Sequence, residues 1–541
     1  MKRLATVIIA AGLLLGAAAP AAWAASLTSQ VSATSVQAGG SVTVNGTYAA
    51  NAWVSLRVLD STNSVVVFDA AKSDANGAYS FTFVVPASAA LGNLTVLTGS
   101  GADVASKTVT LTQTSTGGGV IIGPGTGSGN TTIEDGKIEI KPEVTKGADG
   151  RTEAKATINE TQLSEALKES PDKVTITVTG DSTDQVVAQL DAKALQLAAK
   201  NNTVIEIKSE IGIYTLPTSV LDLEAIAKDL GVPVEQLSLN IKLVQATQDQ
   251  KQAVGAETKE LGATSVAPVI EFVIEFTAPG GKSAEVSSFG TTYVSRSLEL
   301  TDSSIDPAHT TGVRYDPVTG VFRFVPTVFQ QADGKWIATL KRNGNSLYTV
   351  IENEKTFTDV ASHWAKKEVE QLASKLIVQG VSNTSFSPDG SVTRAEFTAL
   401  IVRALGLDEA KGSSAFSDVT SGAWYANTVA TAYNAKLVSG YEDGTFRPNQ
   451  PITRQELAVL MDNAMAYVGK RNASLNVDTA LNTFQDRGTI AAWAKSAVAQ
   501  IVSAGITNGK ADGAFVADSN ATRAEATVMI QRLLKLAVFI N

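Results

Sequence analysis

With 541 residues the chain is too long for one hydrophobic core, so we expect three or more domains. Acidic residues outnumber basic ones by 53 to 44, and the formal net charge of −9 excludes a broad nucleic-acid-binding surface. The chain lacks cysteine and has only two histidines, His309 and His363, which excludes disulfides, thiol catalysis and multi-histidine metal sites, so no cofactor is expected.

The N-terminus has the pattern of an export signal. Lys2 and Arg3 precede an apolar run over residues 4–19, and the Ala-Trp-Ala sequence at 22–24 is a small-x-small cleavage site. We predict that residues 1–24 are a signal peptide that is removed on export. The apolar run is short for a bilayer span, so no membrane insertion is expected after cleavage.

Residues 25–113 alternate apolar and polar side chains in short runs separated by turn residues. Three such runs, at 41–44, 54–58 and 79–83, have the two-residue period of half-buried strands. The pattern predicts a small all-β sandwich and is similar to the bacterial Ig-like modules of surface proteins. Residues 114–132, rich in glycine, serine and threonine, are predicted to be a flexible linker.

Residues 133–353 mix strand and helix patterns and are predicted to be an α+β region of unknown function. Strand patterns occur at residues 174–178, 204–207, 237–241 and 269–276. Asp191 is positioned to cap a helix that runs to Ala199. A second helix is predicted over 221–230, where Gly231 and Pro233 end it.

The last third of the chain repeats one pattern three times. Counted from a tryptophan, a glycine lies 16 residues on, a phenylalanine 22 on and a glutamate 32 on in every copy. A fixed period of this kind indicates stacked units that cannot bury their apolar faces alone. In the first copy, Trp364 to Leu376 and Phe397 to Leu405 carry apolar residues at helical spacing, so each copy is predicted to be helix, loop, helix.

A Thr-Arg-x-Glu sequence begins the second helix of each copy. The threonine and glutamate form a capping box, worth about 1 kcal/mol per cap. The arginine opposes the helix dipole at a cost of about 0.3–1 kcal/mol. Either it forms a salt bridge to an acid of a neighbouring repeat, or its guanidinium and the free first-turn amides bind an anion such as a carboxylate, the interpretation we favour. The arginines are Arg394, Arg454 and Arg523.

Three further repeated positions have both a structural and a binding interpretation. The tryptophans pack in the core or stack on a sugar ring; they are Trp364, Trp424 and Trp493. The glycines permit a positive φ or let a ligand approach the backbone; they are Gly380, Gly440 and Gly509. The aspartates ahead of the first helix serve as turn or cap residues or contact sugar hydroxyls; they are Asp359, Asp418 and Asp486.

This Phe-x-Asp…Trp…Gly…Phe…Thr-Arg-x-Glu pattern resembles the S-layer homology (SLH) domain, with repeats at 356–410, 415–470 and 483–541. The resemblance implies an all-α, pseudo-three-fold spindle with grooves between repeats. It also implies binding to a secondary cell wall polysaccharide, commonly a pyruvylated one. The twelve repeated arginines, tryptophans, glycines and aspartates are then the candidate polysaccharide-binding residues.

The resemblance implies a secreted protein at the cell wall or S-layer of a bacterial envelope. Self-association and contacts with other surface proteins are further expected interactions. No established catalytic motif occurs, and acidic pairs such as Glu271 and Glu275 have no distinctive surroundings. We therefore expect a non-catalytic anchoring protein. The alternative is a wall-anchored, polysaccharide-active enzyme with its catalytic unit in residues 133–353.

Overall fold

The computed structural model describes residues 27–37, 40–61, 65–85, 92–100, 103–112, 131–147, 150–180, 183–317, 319–410 and 415–541. The chain divides into two compact units at position 125. The predicted signal peptide, residues 1–24, lies outside the described residues, as does most of the predicted linker, residues 114–132. In the described part of the chain, we find no helix whose length and apolar character would let it cross a membrane.

The first unit is rich in β structure. Its strands are β1 Gln30–Val31, β2 Ser35–Gln37, β3 Ser41–Thr47, β4 Trp53–Leu59, β5 Val65–Lys72, β6 Ala78–Val84, β7 Gly92–Ser100 and β8 Asp103–Thr112. They form a three-stranded sheet, β1-β3-β6, and a five-stranded sheet, β2-β8-β7-β4-β5. Alternate side chains such as Val42, Val44, Leu56 and Phe81 are buried in one cluster, which explains the two-residue period of the sequence.

The second unit holds eighteen strands and eleven α-helices among its described residues. The strands are β9 Thr131–Glu134, β10 Lys137–Ile140, β11 Glu143–Lys146, β12 Thr152–Ile158, β13 Lys173–Val178, β14 Gln185–Leu190, β15 Val204–Ser209, β16 Gly212–Pro217, β17 Ser238–Gln245, β18 Thr264–Ser265, β19 Ile270–Ala278, β20 Lys282–Glu285, β21 Val294–Glu299, β22 Thr310–Asp316, β23 Val321–Val325, β24 Thr327–Ala332, β25 Lys335–Arg342 and β26 Leu347–Glu352. The helices are α1 Glu160–Glu169, α2 Ala192–Lys200, α3 Leu223–Leu230, α4 Gln248–Glu260, α5 Lys366–Ser374, α6 Arg394–Ala404, α7 Ala426–Asn434, α8 Arg454–Tyr467, α9 Val477–Leu481, α10 Lys495–Ser503 and α11 Arg523–Leu536.

Two large sheets make up the central part of this unit. One has the order β24-β25-β21-β16-β15-β13-β10-β9, and the other has the order β11-β12-β14-β17-β19-β26-β22-β23. In the second sheet, β18 also pairs with β26, and β20 also pairs with β19. Most pairs are antiparallel, but β10–β13, β13–β15 and β12–β14 are parallel. Buried side chains of both sheets, including Ile176, Ile207, Ile241 and Phe272, form one hydrophobic cluster.

Local sequence explains where the central helices begin and end. The Asp191 carboxylate accepts a hydrogen bond from the Ala194 amide at 2.8 Å and so caps α2. Helix α3 ends at Gly231, which has φ +63°, a conformation that glycine adopts at little cost. Both predicted helices are confirmed.

The three repeats close into a ring through their backbones. Short β-bridges join Thr393 to Pro451, Thr453 to Asn520, and Ser391 to Thr522. Each bridge connects the segment before a second helix to another repeat, and the last returns to the first. The apolar faces of the helices meet in one shared cluster, so no repeat has a complete core of its own.

The central sheets also pack against the ring of repeats. Phe324 of β23 belongs to the hydrophobic cluster of the repeats. The Thr327 amide donates to the Phe539 carbonyl at 2.7 Å, and the Tyr293 hydroxyl donates to the Leu405 carbonyl at 2.7 Å. Asp408, which follows α6, forms an ion pair with Arg314 at 2.8 Å.

The predicted fold class, an all-β Ig-like sandwich, a central α+β region and an all-α repeat domain, is wrong. Residues 126–541 form one compact unit of mixed structure in which strands and helices share buried surface. In the central part of the chain, α1 connects β12 of one sheet to β13 of the other, and α2 connects β14 to β15 in the same way. An α+β fold, by contrast, segregates its helices from its strands. Apolar periodicity identifies a strand but does not show which sheet it joins.

Candidate functional site: three clusters between the repeats

The predicted capping boxes are present at the second helix of every repeat. In the first, the Thr393 hydroxyl accepts from the Glu396 amide, and the Glu396 carboxylate accepts from the Thr393 amide at 2.8 Å. The other two repeats show the same pair of bonds. The prediction is confirmed, and these residues have a complete structural explanation.

The first-turn amides of the second helices bond to a neighbouring repeat. The Ala395 amide donates to the Pro448 carbonyl at 2.9 Å, and the Gln455 amide donates to the Ala517 carbonyl at 3.0 Å. The Ala524 amide of the third repeat donates to the Pro388 carbonyl of the first at 2.9 Å. These amides are therefore not free to bind an anion. Only a carbonyl is required at the acceptor position, which explains why alanine can replace proline in the third repeat.

Each repeated arginine reaches into the next repeat and stacks on a phenylalanine ring. The distances from guanidinium carbon to ring centroid are 5.0 Å for Arg394 on Phe446, 5.1 Å for Arg454 on Phe515 and 4.7 Å for Arg523 on Phe386. A buried cation–π contact contributes about 0.5–2 kcal/mol, which offsets the cost of a cation at a helix start. We name the three clusters site A around Arg394, site B around Arg454 and site C around Arg523.

In site A the arginine is nearly enclosed. Arg394 is 7% exposed and donates through Nη2 to the Ser439 carbonyl at 2.8 Å, while its buried Nε has no hydrogen-bond partner. Its guanidinium also lies 5.0 Å from the Tyr441 ring centroid, and burial lowers its pKa. The Tyr441 hydroxyl donates a hydrogen bond to the Glu456 carboxylate, so the partner of this carboxylate is a neutral hydroxyl and not the Arg394 guanidinium.

In site B the arginine charge is neutralised. Arg454 is 5% exposed, and its Nη1 lies 2.8 Å from Oε1 of Glu525. Lys510 pairs with the same carboxylate. The salt-bridge alternative considered from the sequence is therefore realised in this cluster.

In site C the arginine is half-buried and bonds only to carbonyls. Arg523 Nε donates to the Phe386 carbonyl at 2.9 Å, and Nη2 donates to the Gln379 carbonyl at 2.7 Å. No ion pair of Arg523 occurs among the described residues. Burial lowers the pKa of Arg523, while the charges of Glu396 and Asp359 favour its protonated form. Of the three arginines, Arg523 is the most exposed to solvent.

The three repeated tryptophans are exposed rather than buried. Trp364, Trp424 and Trp493 are 63%, 62% and 59% exposed, although large aromatic side chains are usually buried to a high degree. Core packing does not explain these positions. An exposed indole at the same place in every repeat provides a flat apolar surface of the kind that stacks on a sugar ring.

The repeated glycines are required by close packing. A Cβ atom would lie 2.5 Å from the Phe357 ring at Gly380, 2.4 Å from the Phe416 ring at Gly440 and 2.5 Å from a ring carbon of the third repeat at Gly509. Any larger residue would displace the first phenylalanine of the repeat. Only Gly509 has a positive φ, of +78°.

The repeated aspartates hold the loop before the second helix. The Asp486 carboxylate accepts from the amides of Phe515 at 2.7 Å and Val516 at 2.8 Å. Val516 has φ +56°, a strained conformation for a β-branched residue, and the aspartate stabilises it. Asp359 and Asp418 accept the corresponding amides in the other two repeats.

A further repeated contact is not predicted from the sequence. Nine residues after the arginine, a side chain from each second helix donates to the carbonyl that follows the first helix. The bonds are Arg403 to Ile377, Asn463 to Leu437 and Arg532 to Ile506, each at 3.1 Å. Because the residue type varies, the pattern does not stand out in the sequence, although its spacing is constant.

Three segments of the chain, residues 356–398, 415–458 and 483–527, match the S-layer homology domain. The chain therefore carries three S-layer homology domains in tandem. Domains of this family bind cell wall polymers. Together with similarity to surface-layer proteins of Lysinibacillus sphaericus and Brevibacillus choshinensis, they identify a secreted surface protein associated with the cell wall.

Several known proteins are similar to the chain. It is 32% identical over 357 residues to an amylopullulanase of Thermoanaerobacterium thermosulfurigenes, an alignment that covers 64% of this chain and 18% of that protein. It is 39% identical over 198 residues to exoglucanase XynX of Acetivibrio thermocellus, with 36% and 18% covered. It is 31% identical over 177 residues to the surface-layer 125 kDa protein of Lysinibacillus sphaericus, with 32% and 14% covered. The chain thus spans less than a fifth of the length of each of these relatives.

These comparisons overturn the expectation of a non-catalytic class of protein. Two of the three relatives are named as enzymes, so similarity to this chain does not separate anchoring proteins from enzymes. The 357-residue alignment with the amylopullulanase is longer than the whole repeat segment, residues 356–541, and therefore includes part of the central region.

The hydrogen bonds from loop amides to the repeated aspartates can be tested by measuring how the free energy of unfolding changes at acid pH. Burial by itself raises the pKa of Asp359 and Asp486, but the donated hydrogen bonds outweigh it and the pKa of each lies below its ordinary 3.8. Their stabilisation is present above about pH 4 and is lost as the pH falls through the folded-state pKa. We expect an Asp359→Asn/Asp486→Asn variant to unfold at lower urea concentration at pH 6 and to lose less stability between pH 6 and pH 2 than the unmodified chain.

The measurement is urea unfolding followed by circular dichroism at 222 nm. Glu354→Gln, at an exposed position outside the loops, is the matched control and should leave the profile unchanged. A double variant with the same pH profile as the unmodified chain would contradict the assigned role of the carboxylates.

Proposed function

We propose that the chain attaches non-covalently to the bacterial cell wall by binding an acidic secondary cell wall polysaccharide, such as a pyruvylated one, with its three repeats. The observation that carries this proposal is the exposure of a tryptophan at the same position in every repeat. The indoles would stack on sugar rings, and three weak sites on one rigid unit would gain affinity by avidity along a repeating polymer.

The repeated arginines contribute unequally in this proposal. Arg523, which is half-buried and has carbonyl partners, would pair with a carboxylate of the polysaccharide at site C. Arg394 and Arg454 are almost fully buried, and their main contribution is to hold the loop of the next repeat. The aspartates and glycines act through the loop backbone.

Trp364→Ala/Trp424→Ala/Trp493→Ala should weaken binding to purified wall polysaccharide at least about tenfold, because each site loses its stacking surface and avidity falls with it. Stability should change by less than about 0.5 kcal/mol per exposed substitution. Binding is measured by co-sedimentation and by calorimetry. Trp53→Ala, which removes a 64% exposed tryptophan from the first unit, is the matched control. Equal binding by the triple variant and the control would refute the proposal.

Arg523→Gln should weaken binding of native wall polysaccharide about tenfold, because a charged hydrogen bond is worth about 1.5–3 kcal/mol. Arg523→Lys retains the charge and should lose less. Polysaccharide whose carboxyl groups have been reduced to alcohols should bind all three proteins alike. Arg454→Gln, by contrast, removes the buried hydrogen bonds of the guanidinium to Glu525 and to the Phe515 carbonyl and should mainly lower the free energy of unfolding, by about 1–3 kcal/mol, since Lys510 still pairs with Glu525. An Arg523→Gln protein that binds the native polysaccharide normally would remove this arginine from the site.

A second candidate function is a wall-anchored, polysaccharide-active enzyme with its catalytic unit in residues 133–353. Two observations favour it: the amylopullulanase alignment reaches into this region, and burial together with the charge of Glu285 raises the pKa of Glu271. Incubation of the full chain with wall and plant polysaccharides tests it. Release of reducing ends that is lost in Glu271→Gln would support this candidate, and the absence of release from every substrate would reject it.

A further inference from the structure

A cleft of about 680 Å³ lies between the central sheets and the first repeat, within the second unit. One wall is formed by β22 and β23, and the other by the loop at 378–383 and the end of α6. We call it the junction cleft. Its volume is within the range of about 300–1,000 Å³ that small-molecule sites occupy, which is enough for two or three sugar rings.

The junction cleft is positively charged although the chain is acidic. Four cationic side chains line it, against two anionic ones, an excess of two positive charges in a chain of net charge −9. The cations are Arg314, Arg323, Lys355 and Arg403, and the anions are Glu257 and Glu409. A local excess of this sign in a partly enclosed cleft attracts anions.

The four cations of the cleft differ in whether they form ion pairs. Arg314 pairs with Asp408 at 2.8 Å, and Arg323 lies 3.6 Å from Glu409. Arg403 and Lys355, by contrast, form no ion pair in the described part of the chain. Arg403 uses Nη1 to bond to a carbonyl, which leaves other N–H groups of the guanidinium for a ligand.

The loop that lines the cleft differs in charge from its counterparts. Repeats two and three have Asp443 and Asp512 at this position, and each aspartate accepts the amide two residues on at 3.0 Å. The first repeat has the neutral Asn383, and Asn383 lines the cleft. The carboxylate is thus missing from the loop where it would face the cationic cleft.

The junction cleft adjoins site C. Gln379 lines the cleft, and its carbonyl accepts the hydrogen bond from Arg523 at 2.7 Å. Burial lowers the pKa of Arg403, the charge of Glu409 favours its protonated form, and the charges of Arg323 and Arg523 lower its pKa further. Site C and the cleft therefore share Gln379 and lie side by side.

We infer that the junction cleft is a further subsite for the acidic wall polysaccharide, where Arg403 and Lys355 bind carboxylates of the sugar units next to those at site C. The inference rests on the proposed function and extends it from the repeats to the central region. The central region then takes part in binding and contributes one wall of the site.

The repeats themselves supply a substitution that removes charge and keeps the fold. Asn463 occupies the position of Arg403 in the second repeat and makes the equivalent bond at 3.1 Å. Arg403→Asn should therefore fold, and Arg532→Asn in the third repeat is its matched control because it removes the same bond away from the cleft. Asn383→Asp, which restores the residue of the other repeats, is an independent second variant.

The probe is wall polysaccharide released with hydrofluoric acid from the walls of the producing bacterium, titrated calorimetrically into the full chain in native and carboxyl-reduced form. We expect Arg403→Asn to weaken native binding about tenfold and Asn383→Asp about threefold at low salt. Arg532→Asn should stay within about twofold. Carboxyl-reduced polysaccharide should bind all variants alike.

Two outcomes would overturn the inference, and they are distinguishable. If Arg403→Asn and Asn383→Asp bind native polysaccharide like the unmodified chain while the triple tryptophan variant does not, the cleft is not a subsite and the proposed function stands. If the unmodified chain fails to bind either form, the proposed function fails, and the subsite fails with it.

Discussion

The ring of repeats depends on one set of hydrogen bonds, in which the first turn of each second helix donates its amides to carbonyls of a neighbouring repeat. The Ala395, Gln455 and Ala524 amides make these bonds at 2.9–3.0 Å and link the third repeat to the first. A helix start has amides without partners inside the helix, so the bonds satisfy groups that would otherwise need water or a ligand. Their position fixes the distance between repeats.

This closure decides which repeated residues can bind a ligand. The arginine beside each bonded amide is carried into the next repeat, where a phenylalanine ring covers it. In the repeat that receives the arginine, the glycine packs against the first phenylalanine ring, and the aspartate accepts hydrogen bonds from two loop amides. Both residues therefore serve to hold the loop. The tryptophan just before the first helix takes no part in these contacts and stays exposed. It is the repeated residue whose presence packing does not explain.

The three clusters have equivalent backbones but different charges. Glu525 neutralises Arg454 in site B, Tyr441 occupies Glu456 in site A, and Arg523 in site C bonds to carbonyls alone. Site C also adjoins the central sheets, because Gln379, which bonds to Arg523, lines the cleft between the first repeat and strands β22 and β23. The three sites of the pseudo-symmetric ring therefore differ for two reasons: their loops carry different charged side chains, and the central sheets contact the ring on one side.

The sequence by itself determined the repeats, their capping boxes and several central helices and strands, because caps, turns and apolar periodicity are local properties. It could not determine that residues 126–541 are one compact unit, since the pairing of distant strands and the burial of Phe324 among helices depend on contacts across many residues. Nor could it show that the first-turn amides are occupied while the tryptophans are exposed. Only the tertiary structure decided those points, because the accessibility of a side chain depends on what the rest of the chain places beside it.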